Sequence, residues 1–459
     1  MIDIGVKEIA DAVSGELTSS SVANEVISGI SIDSRTIQPG EVFIAISGEN
    51  ADGHDYISQA VAAGAVGVVS ERSRAEVELP AQIYFIRVGN SIDAMKTIAA
   101  YIRDKIDIPV VAITGTNGKT TVKDILQCLL SKKYKTYKSP LSYNNKFGIS
   151  LTLFGINKSH SAAVFEIGTN HPGEIADLTR LVRPSYAVIT NVGAGHLEFF
   201  GNTDGVFREK ISILDHLPAD GIGFLNGDDV RLREAATDIK KIVFFGKTPG
   251  CDFHVTDILK REDGYDFSLN GEVLHIPLVG EHNVNNAAAA IAVAVTMGVE
   301  YNVIRKGLLE VSLPEMRMKK SLSGGLIFLN DAYNANPDSF ECALKTLEDM
   351  DSQGRKWVIS GDMLELGSRS DELHRELGER IASKNFDFLI TLGDAGMMTA
   401  SGAIEAGMND EHVFCSRDHE GAALLIRTIA RLGDVILLKG SRKMRMEEIL
   451  KCYITSCTR

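Results

Sequence analysis

The apolar run Val110–Thr114 leads directly into Gly115-Thr116-Asn117-Gly118-Lys119-Thr120-Thr121 and then into the helix-period segment Val122–Leu130. Strand, glycine loop and helix in that order define a phosphate-binding site rather than an ordinary turn. Gly115 and Gly118 let backbone N–H groups turn inward, and the helix N-terminus adds partial positive charge. Lys119 reaches toward terminal phosphates, and the Thr120 hydroxyl can ligate Mg²⁺. Thr114, Thr116, Asn117 and Thr121 complete the predicted nucleotide loop. One position departs from the common pattern: Ile113 stands five residues before the second glycine, where another Gly is usual.

The surrounding sequence predicts an α/β chain of three domains. Strands are expected at Pro109–Thr114, Ala162–Ile167, Tyr186–Asn191, Ile222–Asn226 and Lys241–Phe245, with helices between most of them, which makes a mainly parallel sheet. Beyond Gly250 the period changes to alternation over Asp252–Ile258, Tyr265–Leu269 and Glu272–Pro277, with turns at Asp263-Gly264 and Asn270-Gly271, a small antiparallel appendix. An Ala-rich helix, Asn283 to Met297, closes this central unit. A second alternating unit with strands Leu326–Asn330, Lys356–Ser360, Phe388–Thr391 and Val435–Lys439 reads as Rossmann-like. Before the central unit, Glu41–Ile46, Gly67–Val69 and Ile83–Val88 with a helix at Tyr56–Ala63 form a small α/β cap, and helix Ile92–Lys105 bridges the two. The expected boundaries are 1–89, 90–313 and 314–459.

Charge narrows the choice of ligands. With 48 Lys plus Arg against 61 Asp plus Glu, the net charge is −13, which argues against nucleic acid or acidic lipid as a partner. An anion must therefore be held by a local device such as the loop at 114–121. Met1 to Val13 carries Asp3, Lys7, Glu8 and Asp11 and is not expected to be a signal peptide. Apolar runs are too short to span a membrane, and six cysteines without a CxxC pair suit reduced thiols. A cytoplasmic monomer is expected.

Other residues fall where a parallel sheet puts chemistry. Glu166 ends one strand and His196 follows another through Gly193-Ala194-Gly195, so both can face the phosphate loop; both are also metal-ligand types. Lys210 lies among Val206, Phe207, Ile211, Ile213, Leu214 and Leu217 on the apolar stripe of a helix expected over Asp204–Leu217. A lysine there either packs its stem and sends its ammonium to water or loses its charge and becomes able to add CO₂ as a carbamate, an anion that can ligate metal. Asn283, in Gly280-Glu281-His282-Asn283-Val284-Asn285-Asn286, reads locally as a helix N-cap. Asp331-Ala332-Tyr333-Asn334-Ala335-Asn336-Pro337 ends in a helix start, which accounts for Asn336 but not for Asp331 and Tyr333. Lys132, Lys133, Lys135 and Lys138 read as a solvated face.

In this order, GTNGKTT, Glu166, His196, Lys210, GEHNVNN, the Leu313-Pro314-Glu315-Met316-Arg317 stretch and DAYNANP resemble the Mur ligase family over nearly the whole chain. The resemblance implies an ATP-dependent amide-forming ligase of peptidoglycan precursor synthesis with ATP and Mg²⁺ as cofactors. It implies that Lys119 and Thr120 hold phosphates and metal, that Glu166, His196 and a carbamylated Lys210 ligate metal, and that Asn283, Asn286 and Tyr333 approach the nucleotide. Arg317 would meet its γ-phosphate and Asp331 its ribose. Asp33-Ser34-Arg35, with Phe43-Ile44-Ala45 and Gly53-His54, is similar to the family's UDP-binding domain. Glu166–Ile175, Gly361–Gly367 and Lys439-Gly440-Ser441-Arg442 are similar to the member acting last. The substrates implied are a UDP-N-acetylmuramoyl tripeptide and D-alanyl-D-alanine, with Asn145, Asn336, Lys439, Ser441 and Arg442 as further substrate contacts. The Asp-Asn-Pro-Arg signature of the diaminopimelate- or lysine-adding ligase is absent. Competing readings are another Mur-type amino-acid ligase and a P-loop ATPase switch.

Overall fold

Buried strands alternating with amphipathic helices assemble into three sheets. The computed structural model describes residues 3–18, 25–48, 51–235 and 241–457; Met1 and Ile2 of the leading segment lie outside them. The first sheet runs in the order Glu16–Thr18, Tyr84–Arg87, Gly67–Ser70, Glu41–Ile44, Gly29–Ser31, with one antiparallel edge pair and the rest parallel. His54 locks its rim. The buried ring takes Asp52 on Nδ1 at 2.7 Å and the Glu71 N–H on Nε2 at 3.1 Å. The Glu71 carboxylate in turn accepts from the Ser91 N–H, tying this sheet to helix Ser91–Asp104.

The second sheet has nine strands, ordered Glu272–Ile276, Tyr265–Leu269, Phe253–Lys260, Ile242–Gly246, Ile222–Asn226, Tyr186–Ile189, Val110–Thr114, Ala162–Glu166, Thr136–Lys138. Val110–Thr114 is fully buried and has parallel neighbours on both sides, so the C-terminal ends of three strands open on one side. The expected antiparallel appendix is present, but it continues the main sheet: Phe253 and His254 pair in parallel with Phe245 and Gly246 before the chain turns back. The third sheet is ordered Lys319–Ser323, Leu326–Asp331, Val435–Lys439, Lys356–Gly361, Phe388–Leu392, Val413–Ser416, antiparallel only at its first pair. Its two edge strands were not expected, because Lys-Lys-Ser-Leu-Ser is exposed and polar and Val413–Ser416 is only four residues long.

Three local expectations change. The helix expected over Asp204–Leu217 is α-helical only for Thr203–Ile211, tightens to a 3₁₀ turn at Ser212–Leu214 and stops there. Helix His282–Thr296 starts on Glu281, so Asn283 is inside its first turn and not the N-cap. The lysine cluster is not merely solvated: Lys138 pairs with buried Asp124 at 2.8 Å, Lys132 with Glu310, and Lys133 donates to the Gly298 carbonyl just past the Ala-rich helix.

Candidate active site

Gly115 and Gly118 make the phosphate loop by necessity. Their φ angles are +146° and +82°; a Cβ on Gly115 would fall 2.0 Å from Thr190 Oγ1, and one on Gly118 2.4 Å from Asn286 Oδ1. The loop is anchored sideways as well, since the Asn117 N–H donates to Asn191 Oδ1 at 2.9 Å and the Asn117 carbonyl accepts from Thr190 Oγ1 and Asn191 Nδ2. Lys119 curls back over the loop to donate to the Gly115 and Thr116 carbonyls at 2.7 and 3.1 Å. Burial pushes its amine below the ordinary lysine range, with Arg317 acting in the same direction.

Thr120 is the junction of the site. Its Oγ1 lies 2.7 Å from Glu166 Oε2 and 2.7 Å from Arg317 Nη2. Glu166, almost wholly buried, accepts on its other oxygen from Asn144 Nδ2 at 2.8 Å. Arg317 crosses from the linker before the third sheet, stacks over the Tyr333 ring at 4.0 Å, and leaves Nε buried with no hydrogen-bond partner. A buried donor left unsatisfied beside a loop of inward N–H groups suits an anion. The flanking Met316 and Met318 both have positive φ, so the backbone that aims this guanidinium is itself unusual.

These groups line a cleft of about 770 Å³ between the central and C-terminal units. The two units meet across it. Asn117 and Asn336 exchange amide hydrogen bonds at 3.3 and 3.0 Å, Asp338 accepts from the Ala194 N–H at 2.6 Å, and His196 Nδ1 lies 2.6 Å from Glu365 Oε2. Asp331 lines the cleft with both oxygens engaged, one on Lys439 Nζ and one on the Met318 N–H. Asn283 and Asn286 also line it, joined by a 2.9 Å bond.

Some expected residues lie elsewhere. Lys210 is 2% exposed and not on the cleft wall. Burial and the nearby charge of Lys119 push its amine well below the ordinary lysine range. Its neighbour Glu209 is buried too and accepts from the Gly173 and Ile175 N–H groups and from Thr169, fixing the start of helix Glu174–Val182. Thr114 and Gly115 do not line the cleft; the Thr114 carbonyl accepts from the Thr190 N–H at 3.0 Å and the Gly115 carbonyl from Lys119. Asn145 caps helix Lys146–Gly155 and does not reach the cleft, whereas Asn144 beside it does. Ser441 accepts from the Leu364 N–H and Arg442 pairs with Glu447, both at the cleft's far end. Asp33, Ser34 and Arg35 follow strand Gly29–Ser31, outside this cleft; two Arg35 guanidinium bonds hold the Asp33 carboxyl down to about 2.

Sequence reasoning missed Asn144, Glu209, Asp338 and Lys123, and gave Glu365 no role. Lys123 could have been suspected, since it falls four residues after Lys119 on the same helix face.

Among the described residues no group of three or more His, Cys, Asp or Glu side chains could hold a metal. Mg²⁺ needs no such group, because it keeps several waters and takes one or two protein oxygens beside substrate phosphates. The Thr120 hydroxyl and the Glu166 carboxylate, 2.7 Å apart, are two oxygens of the kind that could take such an ion.

Comparison with known proteins agrees with this architecture. Three family models match in succession: Mur ligase family, catalytic domain, over residues 26–104; Mur ligase middle domain over 113–294; and Mur ligase, glutamate ligase domain, over 316–442. UDP-N-acetylmuramoyl-tripeptide–D-alanyl-D-alanine ligase of Bacillus subtilis is 34% identical over 99% of both chains, and that of Escherichia coli 32% over 98% of both. The crystal structure of MurF from Acinetobacter baumannii superposes with a TM-score of 0.88 at 31% identity, covering 99% of this chain and 100% of that one. MurF ligase from Thermotoga maritima in complex with ADP gives 0.81 at 28% identity over 94% and 98%. With relatives this similar along its full length and a phosphate loop facing an interdomain cleft, the chain belongs to the Mur ligase family.

Proposed function

We propose that this chain joins D-alanyl-D-alanine to the terminal carboxylate of a UDP-N-acetylmuramoyl tripeptide at the expense of ATP, in peptidoglycan precursor synthesis. The observation that carries the reading is the meeting of Lys119, Thr120, Glu166 and Arg317 at one end of an interdomain cleft, in a chain whose full-length relatives bear that ligase name. The same cleft is lined by the phosphate loop, which would take the nucleotide, and by Leu364, Glu365 and Ser441, near which the acceptor would lie.

The chemistry is carboxylate activation. A tripeptide carboxylate oxygen attacks the γ-phosphorus of ATP, ADP departs, and an acyl phosphate forms. The dipeptide amine then attacks the acyl carbon, inorganic phosphate leaves, and the amine gives up a proton as the amide forms. Lys119 and Arg317 offset charge on the transferring phosphoryl, the role in which fixed cations do most for such reactions. Arg317 enters it already oriented by Tyr333, with Nε free to donate. The loop N–H groups and the helix start at Lys119 hold the phosphate chain. Asn283 and Asn286 contact the nucleotide, and Asp331, Tyr333 and Asn336 complete its wall from the C-terminal side. Closure of that side excludes water, which protects the acyl phosphate from hydrolysis.

Thr120 and Glu166 would hold Mg²⁺, which supplies charge neutralisation at the phosphates. Glu166 and His196, both on the cleft wall, would offer ligands to a second ion, and Lys210, whose amine lies off that wall, would join them only when extended as a carbamate. As a protonated amine Lys210 cannot ligate, and its depressed basicity is the condition carbamate formation needs. Asp33, Ser34 and Arg35 would take the UDP end, and Lys439, Ser441 and Arg442 the peptide end. The functional units are taken as 1–89, 90–313 and 314–459. No nucleic acid and no membrane partner is involved, and the enzyme acts as a cytoplasmic monomer; among the described residues no helix is long and apolar enough to cross a membrane.

Phosphate release tests the reading. It should require ATP, the UDP-muramoyl tripeptide and the D-dipeptide together. Steady release from ATP alone, unaffected by either substrate, would instead identify a hydrolytic switch.

A further inference from the structure

Lys123 is a lysine that neither the phosphate loop nor the proposed mechanism uses. It lies one helical turn beyond Thr120, with its side chain 1% exposed. Its ammonium donates to the Ser139 carbonyl at 3.1 Å and to the Leu141 carbonyl, and it stands 3.8 Å from Glu166 Oε2 and 3.8 Å from Asp124 Oδ1. Four oxygens thus surround it, two neutral and two charged, as they would surround a bound monovalent cation. The carbonyls belong to segment 139–145, which touches Glu166 twice and Thr120 once. Ser139 Oγ accepts from the Glu166 N–H at 3.3 Å, Asn144 Nδ2 donates to Glu166 Oε1, and Ser142 Oγ lies 3.5 Å from Thr120 Oγ1.

The segment does not hold this shape by itself. Leu141 has φ +47° and is 73% exposed, a conformation a bulky residue adopts only where its surroundings impose it. The Lys123 ammonium grips the carbonyl of that residue.

We propose that Lys123 is a positioning residue: a tethered cation that fixes segment 139–145 and, through Asn144 and the shared charge, sets the Glu166 carboxylate against Thr120. This rests on Glu166 being a metal-binding residue, as argued under Proposed function. Lys123 touches no substrate. Its effect is on how Glu166 presents its oxygens.

The test measures ADP binding by calorimetry over a Mg²⁺ titration, alongside kcat, KM and thermal melting. Lys123→Met keeps the length and loses the charge. The Mg²⁺ concentration giving half-maximal ADP binding should rise by about 10-fold or more, the range for groups that orient a metal ligand. KM for the UDP substrate should stay near the wild-type value, because Lys123 is not among the residues that line the cleft. In Lys123→Ala, a primary alkylammonium ion should restore part of the lost binding, whereas the matching alcohol should not. Wild-type Mg²⁺ dependence in Lys123→Met overturns the proposal, as does equal rescue by amine and alcohol. Should the lysine variants fail to fold, Asn144→Ala decides: it removes only the segment's amide from Glu166, must shift the Mg²⁺ dependence in the same direction, and overturns the proposal if it does not. Glu166→Gln separates the two readings. If it leaves the Mg²⁺ dependence unchanged, the metal assignment itself is wrong, independently of Lys123.

Discussion

His196 Nδ1 and Glu365 Oε2 are 2.6 Å apart across the cleft, one from the loop after the central strand Tyr186–Ile189 and the other from the C-terminal unit. The contact is reinforced by the Glu198 N–H donating to the Glu365 carbonyl at 3.0 Å. With Nδ1 donating to the carboxylate, Nε2 is the nitrogen left to act as a ligand. The same bond holds the Glu365 carboxyl below its ordinary range. Glu365→Ala should lower kcat by about 10- to 100-fold with little change in melting temperature, because the side chain is 38% exposed. Steady-state kinetics beside a thermal melt would show both, and unchanged kcat would deny the contact a catalytic role.

The phosphate loop should tolerate no side chain at Gly115. A Cβ there meets Thr190 Oγ1 at 2.0 Å on a backbone at φ +146°, so Gly115→Ala should cost about 1–3 kcal/mol of stability from backbone strain alone. It should also abolish ATP binding. Denaturant unfolding and nucleotide calorimetry on one preparation would measure the two effects, and retained ATP affinity would contradict the geometry.

Lys210 should prove irreplaceable by another cation. Lys210→Ala should abolish turnover, with partial return on adding a short carboxylic acid that fills the gap as an anion. Lys210→Arg, which cannot form a carbamate, should be equally inactive; full activity there would remove the carbamate from the account. Because the amine is held well below the ordinary lysine range, enzyme stripped of CO₂ should lose activity and regain it with bicarbonate.

Stability at acid pH should pass through Asp434. Burial by itself raises its carboxyl, but the Arg355 guanidinium, two backbone N–H groups and the Trp357 indole outweigh that and hold it below the ordinary carboxylate range. A carboxyl depressed in the folded state contributes stability above its unfolded value of about 3.9 and loses it as pH falls through the folded value. Asp434→Ala should cost about 3–5 kcal/mol near neutrality. That gap should narrow below about pH 4, as denaturant melts at several pH values would show.

The strands and the phosphate loop were legible because buried parallel strands carry continuous apolar runs and because the order strand, GTNGKT, helix has a single physical use. Lys210 was legible as an anomaly, a lysine on an apolar stripe, and it is indeed buried. What the sequence could not convey were contacts made by folding distant loops together. Asn117 meets Asn336 over 219 positions, and Thr120 meets Arg317 over 197. A local rule misjudged Asn283, which looked like an N-cap but spends its amide on the Val279 carbonyl and Asn286, and Asn145, placed at the substrate by the family resemblance, caps a helix while Asn144 lines the cleft. Edge strands such as Lys319–Ser323 escape notice because half-solvated strands carry little hydrophobic signal.

A site shared between two units should be completed by their closure. Asp331, on the C-terminal side, is tied to both Lys439 and the Met318 N–H beside Arg317. Asp331→Ala should therefore weaken ATP binding by about tenfold, or 1.4 kcal/mol, and leave the affinity for the UDP end, which the proposed function assigns to Asp33 and Arg35, within experimental error. Solution scattering should show contraction from the free protein to the complex with a non-hydrolysable ATP analogue and the UDP substrate. An identical envelope in both states would mean that the cleft is assembled in advance.

The ligase assignment itself is tested most directly by product mass. The enzyme is incubated with ATP, Mg²⁺ and a panel of UDP-muramoyl peptides against single D-amino acids, L-lysine and D-dipeptides. The account predicts one new species, the UDP-muramoyl tripeptide plus D-alanyl-D-alanine less one water, formed with one ADP per amide bond. Addition of D-alanine or L-lysine to a UDP-muramoyl dipeptide, with no product from the D-dipeptide, would contradict it.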